Sequence, residues 1–402
     1  MGGEDGGRTT GRREFLMGAA AAATLTIVKP GSARGAEANS RLELGLIGSG
    51  GRGNWVANLF QKNTQTKIVA AADYFQDRLN RAKGGFKLPD SRCYTGLDGY
   101  KRLLEGKLDA VAVETPPVFH PEQAAAAVAA GKHVYVAKPI AVDVPGCLTI
   151  GEAGRKATEK KLCFLVDFQT RANAHYQETV KRVHGGDIGT IALVQANYFT
   201  GPLGGRGAHD SAEARLRDWY HDVALSGDII VEQNIHAIDV ATWFANADPL
   251  KAVGRGGNRV HTHKGDCWDH FAVVFTFPGD LFCDFSSTQC TNGHSDIGCL
   301  AFGARGTAHT HYGGSVYIRG HKSFKGGSTG PIYTQGAVTN MKTFWQSIQD
   351  GNVANPTVAP SVRSNLTCIL GRTAARTGRE VTWAEMMKAK EKLDPRLGGL
   401  KA

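Results

Sequence analysis

Three polar side chains set in an apolar stretch carry the most evident chemistry of this chain. In DIIVEQNIHAIDVATWF, from Asp228 to Phe244, Glu232, His236, Asp239 and Trp243 stand at i, i+4, i+7 and i+11. On one helix that spacing places all four on a single face. A carboxylate one turn from an imidazole fixes its tautomer and favours its charged form, which makes a tuned proton acceptor. Glu232 and Asp239 are therefore expected to orient His236. Gly227-Asp228 reads as the helix cap, and Ile235, Ile238 and Thr242 as an adjoining packing stripe.

A second constellation supplies a redox partner for such a base. The stretch LELGLIGSGGRG, Leu42 to Gly53, is an apolar strand that breaks into Gly48-Ser49-Gly50-Gly51-Arg52-Gly53 before helical spacing resumes at Trp55. Gly48 permits the tight turn, Gly50 lets a pyrophosphate approach the backbone, and Gly53 lets helix pack on strand. The free N–H groups of the helix start then face the phosphates. A following strand, Lys67 to Ala72, ends in Asp73, 25 residues beyond Gly48. An acid there binds both ribose hydroxyls of NAD and repels the extra phosphate of NADP. The pattern predicts an NAD site.

The elements that must position these groups alternate. Strands at Leu108–Val113, His133–Val136 and Lys161–Val166 are separated by helical patterns, including the alanine-rich run from Gln123 to Ala130. This argues a doubly wound parallel sheet, whose ligands sit beyond the strand C-termini. Thr115, Pro116 and Lys138 fall there, with His120 opening the next helix.

The second half reads as a helix over Asn173–His184, a strand over Thr190–Phe199 and a glycine-rich flap from Gly201 to His209. Antiparallel strands follow at Leu250–Val253, Phe271–Phe277, Leu281–Ser287, Ile297–Gly303 and Thr307–Ile318. Their exposed face is expected to wall the substrate cleft. Helices at Val338–Gln349 and Val362–Thr377 should return to the first domain, with Tyr333 a cleft candidate just before them. The fold class is α/β: a Rossmann domain over 39–170, then an α+β domain with a large open sheet over 171–335. Residues 336–402 form the returning helices.

The 402 residues carry a formal charge of +10, but no basic run is interleaved with aromatics, which argues against nucleic acid. The pairs His261/His263 and His309/His311 lack a third ligand in the sequence, so no metal site is expected. Eight cysteines without a Cys-x-x-Cys pair read as buried thiols, with Cys283 and Cys290 close enough for one disulfide. Residues 1–38 stand apart. Arg12-Arg13-Glu14-Phe15-Leu16, an alanine-rich stretch and Ala36-Glu37-Ala38 resemble a twin-arginine (Tat) export signal. The Tat translocase would then be a partner and the destination periplasmic. A protein exported already folded can carry NAD with it.

The order IGSGGRG, Asp73, ETPPVFH, GKHVYVAKP and SGDIIVEQNIHAIDVATWF resembles the glucose–fructose oxidoreductase and inositol dehydrogenase (Gfo/Idh/MocA) family over most of residues 41–380. The resemblance implies that Lys138 reaches the nicotinamide and the reacting hydroxyl, and that His236 is the catalytic histidine. The family's aspartate four residues earlier is Glu232 here, and its usual glutamate before the lysine is Ala137. It also implies that Gln169 and Arg171 line the nicotinamide pocket and that copies of the chain assemble. Arg171, Tyr220 and His221 are candidates to bind substrate hydroxyls. The expected function is oxidation of a sugar or cyclic polyol by an exported enzyme that recycles its own NAD, since no pool outside the cytoplasm would reoxidise it. The alternatives are an NAD-dependent glycosidase working by transient oxidation and elimination, as in α-N-acetylgalactosaminidases, and a non-catalytic sugar-binding protein.

Overall fold

A computed structural model describes residue 2 and residues 41–402, apart from 206–209, 263–264 and 292. The export signal, the tip of the glycine-rich flap and the His261/His263 pairing fall outside the described residues. Among the described residues no helix is long and apolar enough to cross a membrane.

The first sheet holds β1 (Leu42–Ile47), β2 (Thr66–Asp73), β3 (Cys93–Thr95), β4 (Ala110–Val113), β5 (His133–Ala137) and β6 (Phe164–Asp167). They lie parallel in the order β3-β2-β1-β4-β5-β6. The intervening helices are α1 (Gly51–Asn63), α2 (Gln76–Phe86), α3 (Gly99–Leu104), α4 (His120–Ala129) and α5 (Val144–Glu159). Side chains two apart on a strand share a face, and the strands use both. Leu44, Leu46, Ala112 and Tyr135 pack against α1, while Val111, Val113, Val134 and Val136 join a core that continues into the second sheet. The strand order reverses between β1 and β4, which opens the crevice where ligands of such sheets sit.

The second part runs α6 (Ala174–His184), β7 (Ile191–Phe199), α7 (Ala212–Arg217), α8 (Val223–Ser226), α9 (Ile229–Glu232), α10 (Ile235–Ala245), β8 (Lys251–Gly257), β9 (His270–Phe277), β10 (Leu281–Thr288), β11 (Asp296–Gly303), β12 (Gly306–His311), β13 (Ser315–Gly320), β14 (Phe324–Ser328), α11 (Ile332–Asp350), α12 (Val358–Thr377), β15 (Val381–Thr382) and α13 (Trp383–Ala389). Its nine strands run in the order β14-β13-β12-β11-β7-β10-β9-β8-β15. All pairs are antiparallel except β7 with β10. The expected single strand Thr307–Ile318 is a hairpin, turned between His311 and Ser315.

Helices α6, α10 and α12 cover one face of this sheet. The other face carries Leu193, Val253, Val274 and Phe282 outward, with Leu193 beside Phe282 and Val253 beside Val274. That corrects the expectation that the exposed face walls the cleft: the sheet reaches the cavity only through Tyr198, on the covered side, and Tyr312 in the β12–β13 turn. All eight cysteines are free thiols, so Cys283 and Cys290 are not bridged. Cys283 points into the core, whereas Cys290 meets Thr288.

Two returning elements tie the halves together. Helix α11 packs on α1 and β6, and α12 runs between α5, α10 and β8. The buried Arg372 of α12 donates to the Val142 and Gly227 carbonyls, and Asn365 donates to the Ala141 carbonyl. The last dozen residues then cross back. Arg215 donates to the Pro395 and Arg396 carbonyls, and the Leu97 N–H donates to the Lys401 carbonyl.

Candidate active site

A cavity of about 540 Å³ runs from Asp73 to His236 across the C-terminal edge of the first sheet. Its floor is the glycine turn. Helix α1 begins at Gly51 with neither a side-chain cap nor an acid in its first turn, so its leading N–H groups face the cavity unclaimed. Gly48 has φ +91°, and a Cβ there would stand 2.7 Å from the Glu114 carbonyl oxygen. A Cβ on Gly53 would overlap the Gly48 carbonyl oxygen. Only glycine lets β1, β4 and α1 meet this closely. The cradle fits a pyrophosphate.

Asp73 closes the far end. Its Oδ2 accepts from the Ser49 N–H at 2.7 Å and its Oδ1 from the Phe75 N–H at 2.9 Å. Burial pushes its pKa up, and these two donors and Arg78 oppose that. Arg78 and Arg217 both lie over the Phe75 ring and line the same end of the cavity. Asp73→Ser would remove the anion and leave two cations. It is expected to cut the preference for NAD over NADP about 10- to 100-fold, the worth of one charge-assisted hydrogen bond. Binding titrations of both nucleotides read this directly.

Thr115 and Pro116 line the middle of the cavity, where Thr115 Oγ1 donates to Gln123 Oε1 at 2.6 Å. His120 stands behind them, its ring nitrogens on the Thr115 and Pro139 carbonyls at 2.7 and 2.8 Å. Burial pushes its pKa down to about 4. It joins the ends of β4 and β5. Gln169 lines the wall and donates to Asp167 at 3.2 Å, while its own Oε1 is buried without a partner.

Lys138, just past β5, donates to the Glu232 carbonyl oxygen at 2.7 Å and faces Glu232 Oε1 at 3.4 Å. Burial lowers its pKa against the pull of Glu232, and Arg52 lowers it further. His236 shares the cavity wall with Lys138 and Glu232. Burial, then Lys138 and Arg52, hold its pKa well below the usual histidine value. Its Nδ1 is buried without a partner, and its ring packs 5.1 Å from Tyr312 and 6.5 Å from Phe168. A neutral imidazole with an uncommitted nitrogen can accept a proton.

The helix that carries His236 is not continuous. The Asn234 N–H donates to the Ile229 carbonyl, an i to i−5 step, and α10 begins afresh at Ile235. Glu232 therefore turns to Lys138 and to Gln233 rather than to His236. Asp239 also leaves the histidine. It accepts from Arg171 Nε at 3.0 Å and NH2 at 2.8 Å, and from Ser364 Oγ at 2.6 Å. The orienting role expected of Glu232 and Asp239 toward His236 is thus corrected. Arg171 lies over the Trp243 ring, outside the cavity wall, which corrects its expected place at the substrate. His221 is corrected too: its Nε2 meets the Gly204 carbonyl at 2.9 Å, and only its neighbour Tyr220 lines the cavity.

Several lining residues had no sequence argument. Tyr198 donates to Gln233 Oε1 at 2.8 Å, so a polar chain runs from Tyr198 through Gln233 and Glu232 to Lys138. Tyr312 gives no sequence signal, since only the β12–β13 turn brings it against His236. Glu114 closes a fully buried strand, a carboxylate after Ala-Val-Ala-Val, and that contrast was the available clue.

A dinucleotide cradle opening onto a buried lysine and a neutral histidine defines an NAD-dependent oxidoreductase. The comparisons agree on the class and on the family. Residues 42–168 match the model of the oxidoreductase family with an NAD-binding Rossmann fold, and residues 176–309 match the GFO/IDH/MocA C-terminal domain. The chain belongs to the Gfo/Idh/MocA family. It is 28% identical over 280 residues to the inositol 2-dehydrogenase of Klebsiella pneumoniae (strain 342), covering 69% of this chain and 76% of that one. The scyllo-inositol dehydrogenase of Lactobacillus casei, solved with NAD(H) and scyllo-inositol, superposes with a TM-score of 0.67 at 20% identity, over 86% of this chain and 100% of that one. The aldose-aldose oxidoreductase of Caulobacter crescentus gives 0.66 at 17% identity, over 85% and 100%.

Proposed function

We propose that this chain is an exported enzyme that oxidises a ring hydroxyl of a cyclic polyol or sugar and retains its NAD through the cycle. The observation that carries the reading is the meeting of Lys138 and His236 in the same cavity as the glycine cradle. Bound NAD supplies the hydride acceptor. The substrate hydroxyl lies between Lys138 and His236. His236, neutral, takes its proton, while Lys138 donates a hydrogen bond to the oxygen. Gln169, Tyr198, Gln233, Tyr220 and Tyr312 offer polar contacts for the other hydroxyls. The inositol 2-dehydrogenase relatives support a cyclic polyol. The twin-arginine stretch supports export through the Tat translocase to the periplasm, and the exposed apolar sheet face supports a homo-oligomer. No specific observation favours glycoside cleavage.

The test uses natively exported protein with no added nucleotide. Myo-inositol, scyllo-inositol or an aldose should raise the reduced-nicotinamide absorbance, and a second carbonyl sugar should reset it. A band that none of these substrates moves overturns the reading. Release of an aryl group from an aryl glycoside, without any acceptor, would put the glycosidase in its place.

A further inference from the structure

The ends of three parallel strands form one row. Val113, Val136 and Val166 are paired across β4, β5 and β6, and the next residues in register are Glu114, Ala137 and Asp167. The two outer members are buried carboxylates, two strands apart. Arg52 of the glycine turn spans them: its Nε is 3.1 Å from Glu114 Oε2 and its NH2 donates to Asp167 Oδ2 at 2.6 Å. Its NH1 donates to Tyr333 at 2.9 Å. A guanidinium reaching both outer strands must cross the end of the middle one, and there the side chain is a methyl. A glutamate at 137 would fill that space with a third carboxylate.

We infer that Arg52, seated over Ala137 between Glu114 and Asp167, is a positioning residue for Lys138, holding a fixed positive charge at the end of the strand that leads into it. The inference rests on the proposed role of Lys138 at the reacting hydroxyl. In the row, the carboxylate that the resemblance leads one to expect before the lysine stands on the strands to either side, and an arginine takes its place. Asn340 and Gln169 also donate to Asp167, so the guanidinium is fixed on that side. On the other side neither Glu114 carboxylate oxygen nor the Arg52 Nε has a hydrogen-bond partner, so Arg52 and Glu114 are joined as an ion pair alone. The charged groups facing Lys138 are Glu232 from α9, Arg52 from α1, Asp167 from β6 and Glu114 from the end of β4. His236 and His120 face it as neutral rings.

The sign follows from this census. Removing Arg52 deletes a cation and strips two carboxylates of their partner. The lost cation favours the charged form of Lys138 and of His236, and a proton taken up by Glu114, which burial already pushes up to about 7, offsets part of that gain. The Nζ resonance of Lys138, read in full-length protein with 15N-labelled lysine and assigned by its loss in Lys138→Met, reports this without turnover. In the wild type it should titrate below the ordinary lysine value of about 10.4. In Arg52→Met it should titrate at least about one unit higher, and the acid limb of kcat/KM should rise with it. Arg52→Lys, which keeps the charge, should return both to within a few tenths of a unit. Should Arg52→Met fail to fold, Arg52→Gln serves instead, since it keeps a polar group between the two carboxylates without the charge: Lys138 should again move upward.

A Lys138 titration unmoved by Arg52→Met overturns the inference, as does an Arg52→Lys that behaves like the methionine variant or, in its place, an Arg52→Gln that leaves Lys138 unmoved. If the titrations move as stated yet no polyol is oxidised, the inference stands and the proposed substrate falls.

Discussion

His236→Ala is expected to lower kcat about 10³-fold while leaving nucleotide affinity within a factor of two, because general acid–base groups of this kind contribute roughly 10²–10⁴. The histidine touches neither the glycine cradle nor Asp73, so the two readouts separate cleanly. The cavity left behind is lined by Tyr312 and Phe168, and added imidazole should restore part of the rate. In the wild type the acid limb of kcat/KM should lie below pH 6.5, since burial, Lys138 and Arg52 all hold the ring neutral. A variant that keeps full turnover, or a limb above that value, would remove His236 from the reaction.

Asp228→Ala is expected to produce the largest loss of stability, about 3–5 kcal/mol in urea unfolding. The carboxylate is wholly buried. Its Oδ1 accepts the N–H groups of Ile229 and Trp268 at 2.8 and 2.9 Å, and its Oδ2 meets the Arg376 guanidinium. Alanine would leave Arg376 and both amides without that acceptor. It would also inherit a backbone at φ +75°, ψ 165°, a region kept almost wholly for glycine. Asp228→Gly loses the same bonds but relieves that strain, so it should be the milder of the two by about 1 kcal/mol or more. Equal losses would mean that the bonds, and not the backbone, set the whole cost.

Asp228 also shows what the sequence could and could not convey. Its place as a cap was legible from Gly227-Asp228 ahead of an apolar run. The helix it caps was not, because α9 lasts four residues before the step at Asn234. Period counting assumes an unbroken helix, and a single extra residue in a turn displaces every later side chain by about 100°. The alignment of Glu232 with His236 was lost in that way. Arg171 and Asp239 were misplaced for another reason: 68 residues separate them, and no local pattern announces that a cation and an anion will neutralise each other.

The Rossmann half was the more legible. Its buried strands are short apolar runs closed by Gly48, Glu114 and Ala137-Lys138, and parallel pairing needs nothing else to be recognised. The start of α11 was missed because Gly336 interrupts the helical pattern. A Cβ there would stand 2.5 Å from that of Gln169, so the glycine records a close approach between elements and not a loop.

One tie joins Lys401 to the rim of the nucleotide cradle. Lys401 holds the loop at Thr95–Leu97, through its carbonyl to the Leu97 N–H and through its Nζ to Thr95 at 3.1 Å, and Gly96 and Leu97 line the Asp73 end of the cavity. Lys401→Pro, which leaves the carbonyl but removes the Nζ contact and stiffens the segment, should therefore change how firmly the Asp73 end grips the adenosine half of NAD, read as a shift in its dissociation rate.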